Sequence, residues 1–156
     1  MAISPYIRRL RERVGNDLLV LPSVSVLPRD ANGRLLLVRI ADTGNWATIG
    51  GAIEPDESPE EAACREAEEE AGVTVRLGAT LGVLGGPDYR VTYPNGDETS
   101  YVVVVFDAVV EAGRPTADGD ETSDVAWFAP VDLPYPEMGR LTSALLRDVG
   151  VADGHG

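Results

Sequence analysis

Residues 50–73, G-G-A-I-E-P-D-E-S-P-E-E-A-A-C-R-E-A-E-E-E-A-G-V, constrain this chain more than any other stretch. Ser58 followed three residues later by Glu61 is a capping-box pattern. Pro59 takes the first helical position, where its missing N–H costs nothing. Gly72 stands where helices end in a left-handed residue. The spacing therefore predicts a helix over Pro59 to Ala71, entered from a glycine turn and an acidic loop. At roughly 100° per residue, Ala63, Cys64, Ala67 and Ala71 share a narrow, small-sided sector that can lie close to a sheet. Glu66, Glu69 and Glu70 share the adjacent sector, while Glu61 and Glu68 point away.

Three carboxylates at i, i+3 and i+4 form an oxygen-only edge suited to a hard divalent cation. A solvated acidic face is the simpler alternative, since like charges at this spacing cost only a few tenths of a kcal/mol each. The position bears on both readings, which stay open on spacing and dipole alone. Glu68, Glu69 and Glu70 fall in the last helical turn, where the macrodipole disfavours negative charge, so a cation fits there.

Gly51, Glu57 and the run Arg65-Glu66-Ala67-Glu68-Glu69-Glu70-Ala71-Gly72-Val73 resemble the Nudix box, G-x5-E-x7-R-E-U-x-E-E-x-G-U with U aliphatic. At about 7% usage per residue type, its seven fixed identities arise by chance on the order of 10⁻⁸ per starting position. Tyr93-Pro94-Asn95-Gly96-Asp97 is similar to a signature of one Nudix subgroup. Two departures stand out. The aliphatic position inside the box is Ala67, and Ile49 precedes the glycines where the family commonly has proline.

The resemblance implies a Nudix α/β/α sandwich and hydrolysis of a diphosphate joined to a further group X. It implies Mg²⁺ or Mn²⁺ as cofactor, with Glu66, Glu69, Glu70 and the Gly50 carbonyl as ligands. Arg65 then orients a glutamate, while Gly51, Glu57 and Gly72 support the site. The general base of the family often comes from outside the box. Glu121, ahead of Val125-Ala126-Trp127-Phe128, is the candidate, with Asp118, Asp120 and Asp124 as alternatives and Glu69 competing within the box. Arg39 and Arg90 are candidates for phosphate, Trp46 and Phe128 for stacking on a base. For each of these four the plainer role is surface or packing.

With 156 residues, 44% hydrophobic and 25% charged, the chain reads as one domain with an ordinary core. A net charge of −13 argues against duplex nucleic acid and anionic membranes as partners. A nucleotide remains suitable if metal supplies the positive charge. There is no lysine, hence no Walker A loop and no Schiff base. The only histidine, His155, lies in a Gly-Asp-Gly-His-Gly tail, which disfavours a serine triad or a histidine zinc site. The single cysteine, Cys64, permits no internal disulfide and belongs to the packed sector. Arg8, Arg9, Arg11 and Arg13 are followed by no apolar core, so the N-terminus does not read as a signal peptide and a cytoplasmic home is expected.

Elsewhere, Ser4 to Val14 reads as a helix, an extension over residues 1–16 that can serve packing or a homodimer contact. Strands are expected over Leu18–Leu27, Leu35–Ile40, Trp46–Ile49, Thr74–Leu77, Leu81–Leu84, Arg90–Tyr93, Thr99–Val110 and Val125–Phe128. Asn95-Gly96 marks a hairpin. Val102 to Phe106 is apolar on both faces, which places its strand centrally in a sheet. A helix follows over Pro136–Val149, and the tail 150–156 reads as disordered. The pattern is α/β, a mixed sheet with helices packed on it. Function then narrows to three readings: hydrolysis of a nucleoside diphosphate linked to X, such as ADP-ribose; a sanitising nucleoside triphosphate pyrophosphohydrolase; or a non-catalytic nucleotide-binding module. The intact carboxylate set weighs against the third.

Overall fold

Residue parity along the strands organises the molecule, here a computed structural model describing residues 3–151. Strand β1 (Leu19–Pro28) sends Val24 and Val26 to one side and Leu21 and Leu27 to the other. Strand β2 (Leu35–Ile40) divides Leu36 and Val38 from Leu35 and Leu37 in the same way. Strand β7 (Glu98–Ala112) divides Phe106 and Ala108 from Tyr101, Val103 and Val105. Successive side chains alternate across a strand, so a run that is apolar at every position feeds two cores at once.

Two sheets result. The larger runs β4 (Ile49–Ala52), β1, β7, β5 (Thr74–Leu84), with β6 (Arg90–Thr92) also pairing with β7. It is mixed, since β1 and β7 are parallel while the other pairs are antiparallel. The smaller runs β3 (Trp46–Ala47), β2, β8 (Thr122–Phe128), all antiparallel. Helix α2 (Pro59–Ala71) lies on one core, through Ala62, Ala63, Ala67 and Ala71. Helix α3 (Arg140–Asp148) closes the other through Ala144, Leu145 and Leu146. The α/β class with helices on both sides is the expected one.

Several boundaries differ from the sequence reading. Trp46 to Ile49 is not one strand. The chain passes from the smaller sheet to the larger at Thr48, whose Oγ1 accepts a hydrogen bond from the buried Ser25 at 2.7 Å. Thr74–Leu77 and Leu81–Leu84 are one strand, its irregularity absorbed as register shifts around Thr80. The last helix starts at Arg140, with Gly139 as an N-cap lacking a side chain to hold it. A short 3₁₀ turn, Tyr135–Glu137, occupies the first part of the expected span. Helix α1 (Pro5–Val14) begins as expected, Ser4 Oγ accepting the Ile7 N–H at 3.1 Å. The expected tail, with His155, lies outside the described residues from 152 onward.

Candidate active site

Helix α2 is fixed at both ends by its own sequence. The Glu61 N–H donates to Ser58 Oγ at 3.1 Å and the Ser58 N–H returns to Glu61 at 3.4 Å. Gly72 ends the helix at φ 65°, in the left-handed region that favours glycine. The alanine sector lets the helix sit low on the sheet, with Cys64 at its half-buried flank. Ala67 therefore suits its place in the box: the helix face there has no room to spare.

Low packing buries two of the three carboxylates. Glu66 is 8% exposed and Glu70 is 4% exposed. Glu69 is a rim residue, its side chain 57% exposed. Gly51 makes the approach possible, because a Cβ there would strike Glu66 Oε1. At Gly50 a Cβ would strike the Val24 carbonyl of the adjoining strand. The Gly50 N–H donates to Glu70. Burial pushes the Glu70 carboxyl well above the usual carboxylate range, and the bonded Glu66 pushes it further. Burial also raises Glu66, partly offset by its bonds to Glu70 and Arg65. The two side chains hydrogen-bond each other.

Arg65 ties this pair to the loop before the helix. Its Nε donates to Glu57 Oε2 at 2.7 Å and one terminal nitrogen donates to Glu57 Oε1 at 2.9 Å. The other terminal nitrogen reaches Glu66 at 3.0 Å and Glu69 at 3.2 Å. A last bond, 3.1 Å, goes to the Ala52 carbonyl. Bidentate pairing with Arg65 holds Glu57 below the usual carboxylate range. Glu57 also accepts the Glu54 N–H at 3.1 Å, so one carboxylate shapes the loop and anchors the arginine.

The loop before β8 closes the far side. The Glu121 carbonyl accepts the Ala41 N–H, and the Glu121 charge adds to the upward push on Glu70. Thr122, fully buried, donates to the Glu70 carbonyl at 2.9 Å and pins the loop to the last turn of α2. Asp118 is spent on the loop itself, accepting the Asp120 and Thr122 N–H groups at 2.8 and 2.9 Å. Those bonds lower its acidity range. Asp124 accepts the Val125 N–H. Thr122 was not singled out from sequence, since a threonine at a strand start carries no distinguishing local signal.

The four substrate-contact candidates separate. Trp46 is 6% exposed and meets Phe128 edge-to-face at 5.0 Å, so its ring is core. Phe128 is half-buried on the same cluster. Arg39 lies over Trp46 at 5.6 Å and donates to the Gly44 carbonyl at 2.8 Å. Arg90 pairs with Glu98 at 3.1 Å. Its row crosses β7 at Ser100, whereas the Gly50–Ser25 row crosses at Val105, roughly 16 Å along the strand. The structure does not bring Arg90 to the carboxylates.

Among the described residues, no three Asp, Glu, Cys or His side chains stand arranged as a ready metal cage. Arg65 and the Glu66–Glu70 hydrogen bond engage the oxygens that such a cage would need. The donor set is nonetheless all oxygen, two of its carboxylates buried and the three acidic beyond what Arg65 neutralises, so it fits Mg²⁺ or Mn²⁺.

Residues 20–148 match the family profile described as NUDIX domain. A putative 8-oxo-dGTP diphosphatase of Bacillus subtilis is 35% identical over 109 residues, 70% of this chain and 66% of that protein. The nucleoside triphosphatase NudI of Escherichia coli is 34% identical over 128 residues, 77% of this chain and 90% of that protein. The MutT NUDIX hydrolase of Burkholderia pseudomallei superposes with a TM-score of 0.69 at 28% identity, over 83% of this chain and 97% of that one. A UDP-X diphosphatase shares the fold, with a TM-score of 0.66 at 22% identity over 96% of this chain and 71% of that one.

Proposed function

This chain belongs to the Nudix family and is a Nudix pyrophosphohydrolase, and from that premise we propose that it hydrolyses a phosphoanhydride of a nucleoside triphosphate with Mg²⁺ or Mn²⁺. The observation that carries the reading is the buried Glu66–Glu70 pair, held between the Gly50 N–H and Arg65. Such a pair stores negative charge for a cation rather than for a fold, because an unneutralised buried acid is costly.

Glu66, Glu70, the rim residue Glu69 and the Gly50 carbonyl are the groups that would hold the metal. When bound, the metal supplies positive charge to anionic phosphate oxygens and acidity to water. Arg65 keeps Glu66 and Glu69 oriented and so acts on substrate only through them. Glu121, on a loop tied to the same helical turn, takes the proton from the attacking water. Glu57 fixes Arg65 and the loop together.

The triphosphate takes first place over a nucleoside diphosphate linked to X because the two relatives described above are named for nucleoside triphosphates. The likeness to the UDP-X diphosphatase concerns the fold alone. A panel of nucleoside triphosphates, their oxidised forms, ADP-ribose and UDP-sugars, incubated with Mg²⁺ or Mn²⁺ and followed by release of nucleoside monophosphate, tests the reading. A triphosphate should be cleaved fastest, and EDTA should abolish turnover. Undiminished turnover in EDTA, or cleavage of none of the panel, overturns it.

A further inference from the structure

Helix α1 crosses the open end of the larger sheet without burying a single residue. Ile7 packs against the core that α3 closes, and one polar side chain ties the helix to the sheet. Arg11 donates to the Gly15 and Asp17 carbonyls at 3.1 and 2.7 Å, and across the sheet to the Glu98 carbonyl at 2.8 Å and Thr99 Oγ1 at 3.1 Å. Asp97, in the Tyr-Pro-Asn-Gly-Asp hairpin, stands 3.6 Å from its Nε. Beside these anchors a gap remains under the helix. That gap is a cavity of about 310 Å³, bounded by Tyr6 and Leu10 of α1, Val20 of β1, Ala52 of β4, and Glu54 of the loop leading to α2. The size lies at the lower end of small-molecule sites. Val20 is 66% exposed there, an apolar side chain left open in a strand.

The cavity adjoins the carboxylates. Ala52, one of its walls, and Glu66 both accept hydrogen bonds from the Arg65 guanidinium, at 3.1 and 3.0 Å. Two oxygens bound to one guanidinium lie within about 8 Å of each other. A nucleotide whose phosphates meet a cation held by Glu66 and Glu70 must place its base a comparable distance away. The base needs an apolar, partly aromatic surface. Trp46 is already buried against Phe128.

We infer that the cavity under α1 receives the nucleobase of the substrate, with Tyr6 as the stacking ring and Val20 and Leu10 as apolar walls. This inference rests on the hydrolase reading above, and it assigns to the N-terminal helix and the hairpin that holds it a part in substrate recognition. Arg11 is then a positioning residue, setting the height of the helix over the base.

Two variants test it, Tyr6→Ala, which removes a half-exposed ring, and Leu10→Trp, which fills the gap. Each is measured for kcat and KM on the best nucleotide, for inhibition by inorganic pyrophosphate, and by calorimetry with AMP, GMP, CMP and UMP in Mg²⁺. The expected result is a KM raised about tenfold with kcat nearly unchanged, monophosphate binding weakened alike, and pyrophosphate inhibition untouched. Unchanged KM in folded Tyr6→Ala and Leu10→Trp overturns the base site and leaves the hydrolase standing. A loss shared equally by pyrophosphate also overturns it. Should no nucleotide be cleaved by the native chain while monophosphates still bind through Tyr6, the site survives and the reaction falls. With neither cleavage nor binding, both fall.

Discussion

Glu57 and Glu70 show how two glutamates of one motif are driven in opposite directions. Bidentate pairing with Arg65 lowers Glu57, whereas burial raises Glu70. A lowered folded value means that Glu57 contributes stability above the ordinary carboxylate value of 4.5, a contribution lost as pH falls through the depressed value. The difference in melting temperature between native and Glu57→Gln protein should therefore be full at pH 6 and shrink below pH 4.5. A difference that stays constant down to acid unfolding would show that the pair does not govern that carboxyl. Cys64 is simpler. Burial, then the charge of Glu68, pushes its thiol up, which disfavours the thiolate a nucleophile needs. Cys64→Ser should keep native turnover and, being only half-buried, lose at most about 1 kcal/mol in denaturant unfolding. An inactive but folded Cys64→Ser protein would assign the thiol a chemical role.

At the scale of elements, α2 was legible because everything that defines it is local. Its cap, its first proline and its terminal glycine are written within fourteen residues of one another. Its alanine sector followed from periodicity. The switch of sheets at Thr48 was not legible, since it depends on Ser25, far away in sequence, donating to it. Nor was the division between buried Glu66 and Glu70 and exposed Glu69, because a helical wheel gives direction but not the height of the neighbouring wall. Trp46 stood as a candidate for stacking on a base with packing as the plainer role, and packing on Phe128 is what the structure shows.

The loop before β8 is where position in sequence and position in space have to be weighed together. Asp118 accepts the backbone N–H groups of Asp120 and Thr122, and Glu121 adds its charge to the surroundings of Glu70. Glu121→Gln should lower kcat by roughly 10²–10⁴-fold with little change in KM, since it removes proton transfer and not binding. Asp118→Asn keeps an acceptor in the loop and should lower kcat by only a few-fold. Stopped-flow or steady-state kinetics on both decide between them. A near-native Glu121→Gln enzyme moves the proton to Glu69.

For the molecule as a whole, the governing quantity is charge. A chain at −13 repels itself, and any salt relieves part of that repulsion by screening. Stabilisation by Mg²⁺ is therefore uninformative unless the nonspecific part is removed. The specific part obeys mass action. A ligand at 100 times its Kd, bound only by the folded state, adds about 2.7 kcal/mol. In a domain of this length that corresponds to a rise of roughly 5–10 °C in melting temperature. Native protein in Mg²⁺ should melt higher than in NaCl of equal ionic strength by about that margin. Glu70→Gln separates the two contributions. The amide can still accept the Gly50 N–H and bond to Glu66, so the packing of α2 survives, but it offers no charge to a cation. The excess should vanish in this variant while the NaCl response stays. Because the variant also lacks the buried acid, its melting temperature in EDTA should equal or exceed that of the native chain. If Mg²⁺ and NaCl raise the native chain equally, the acidic pair does not bind the ion, and the carboxylates of α2 return to being a solvated face and a buried hydrogen-bonded contact.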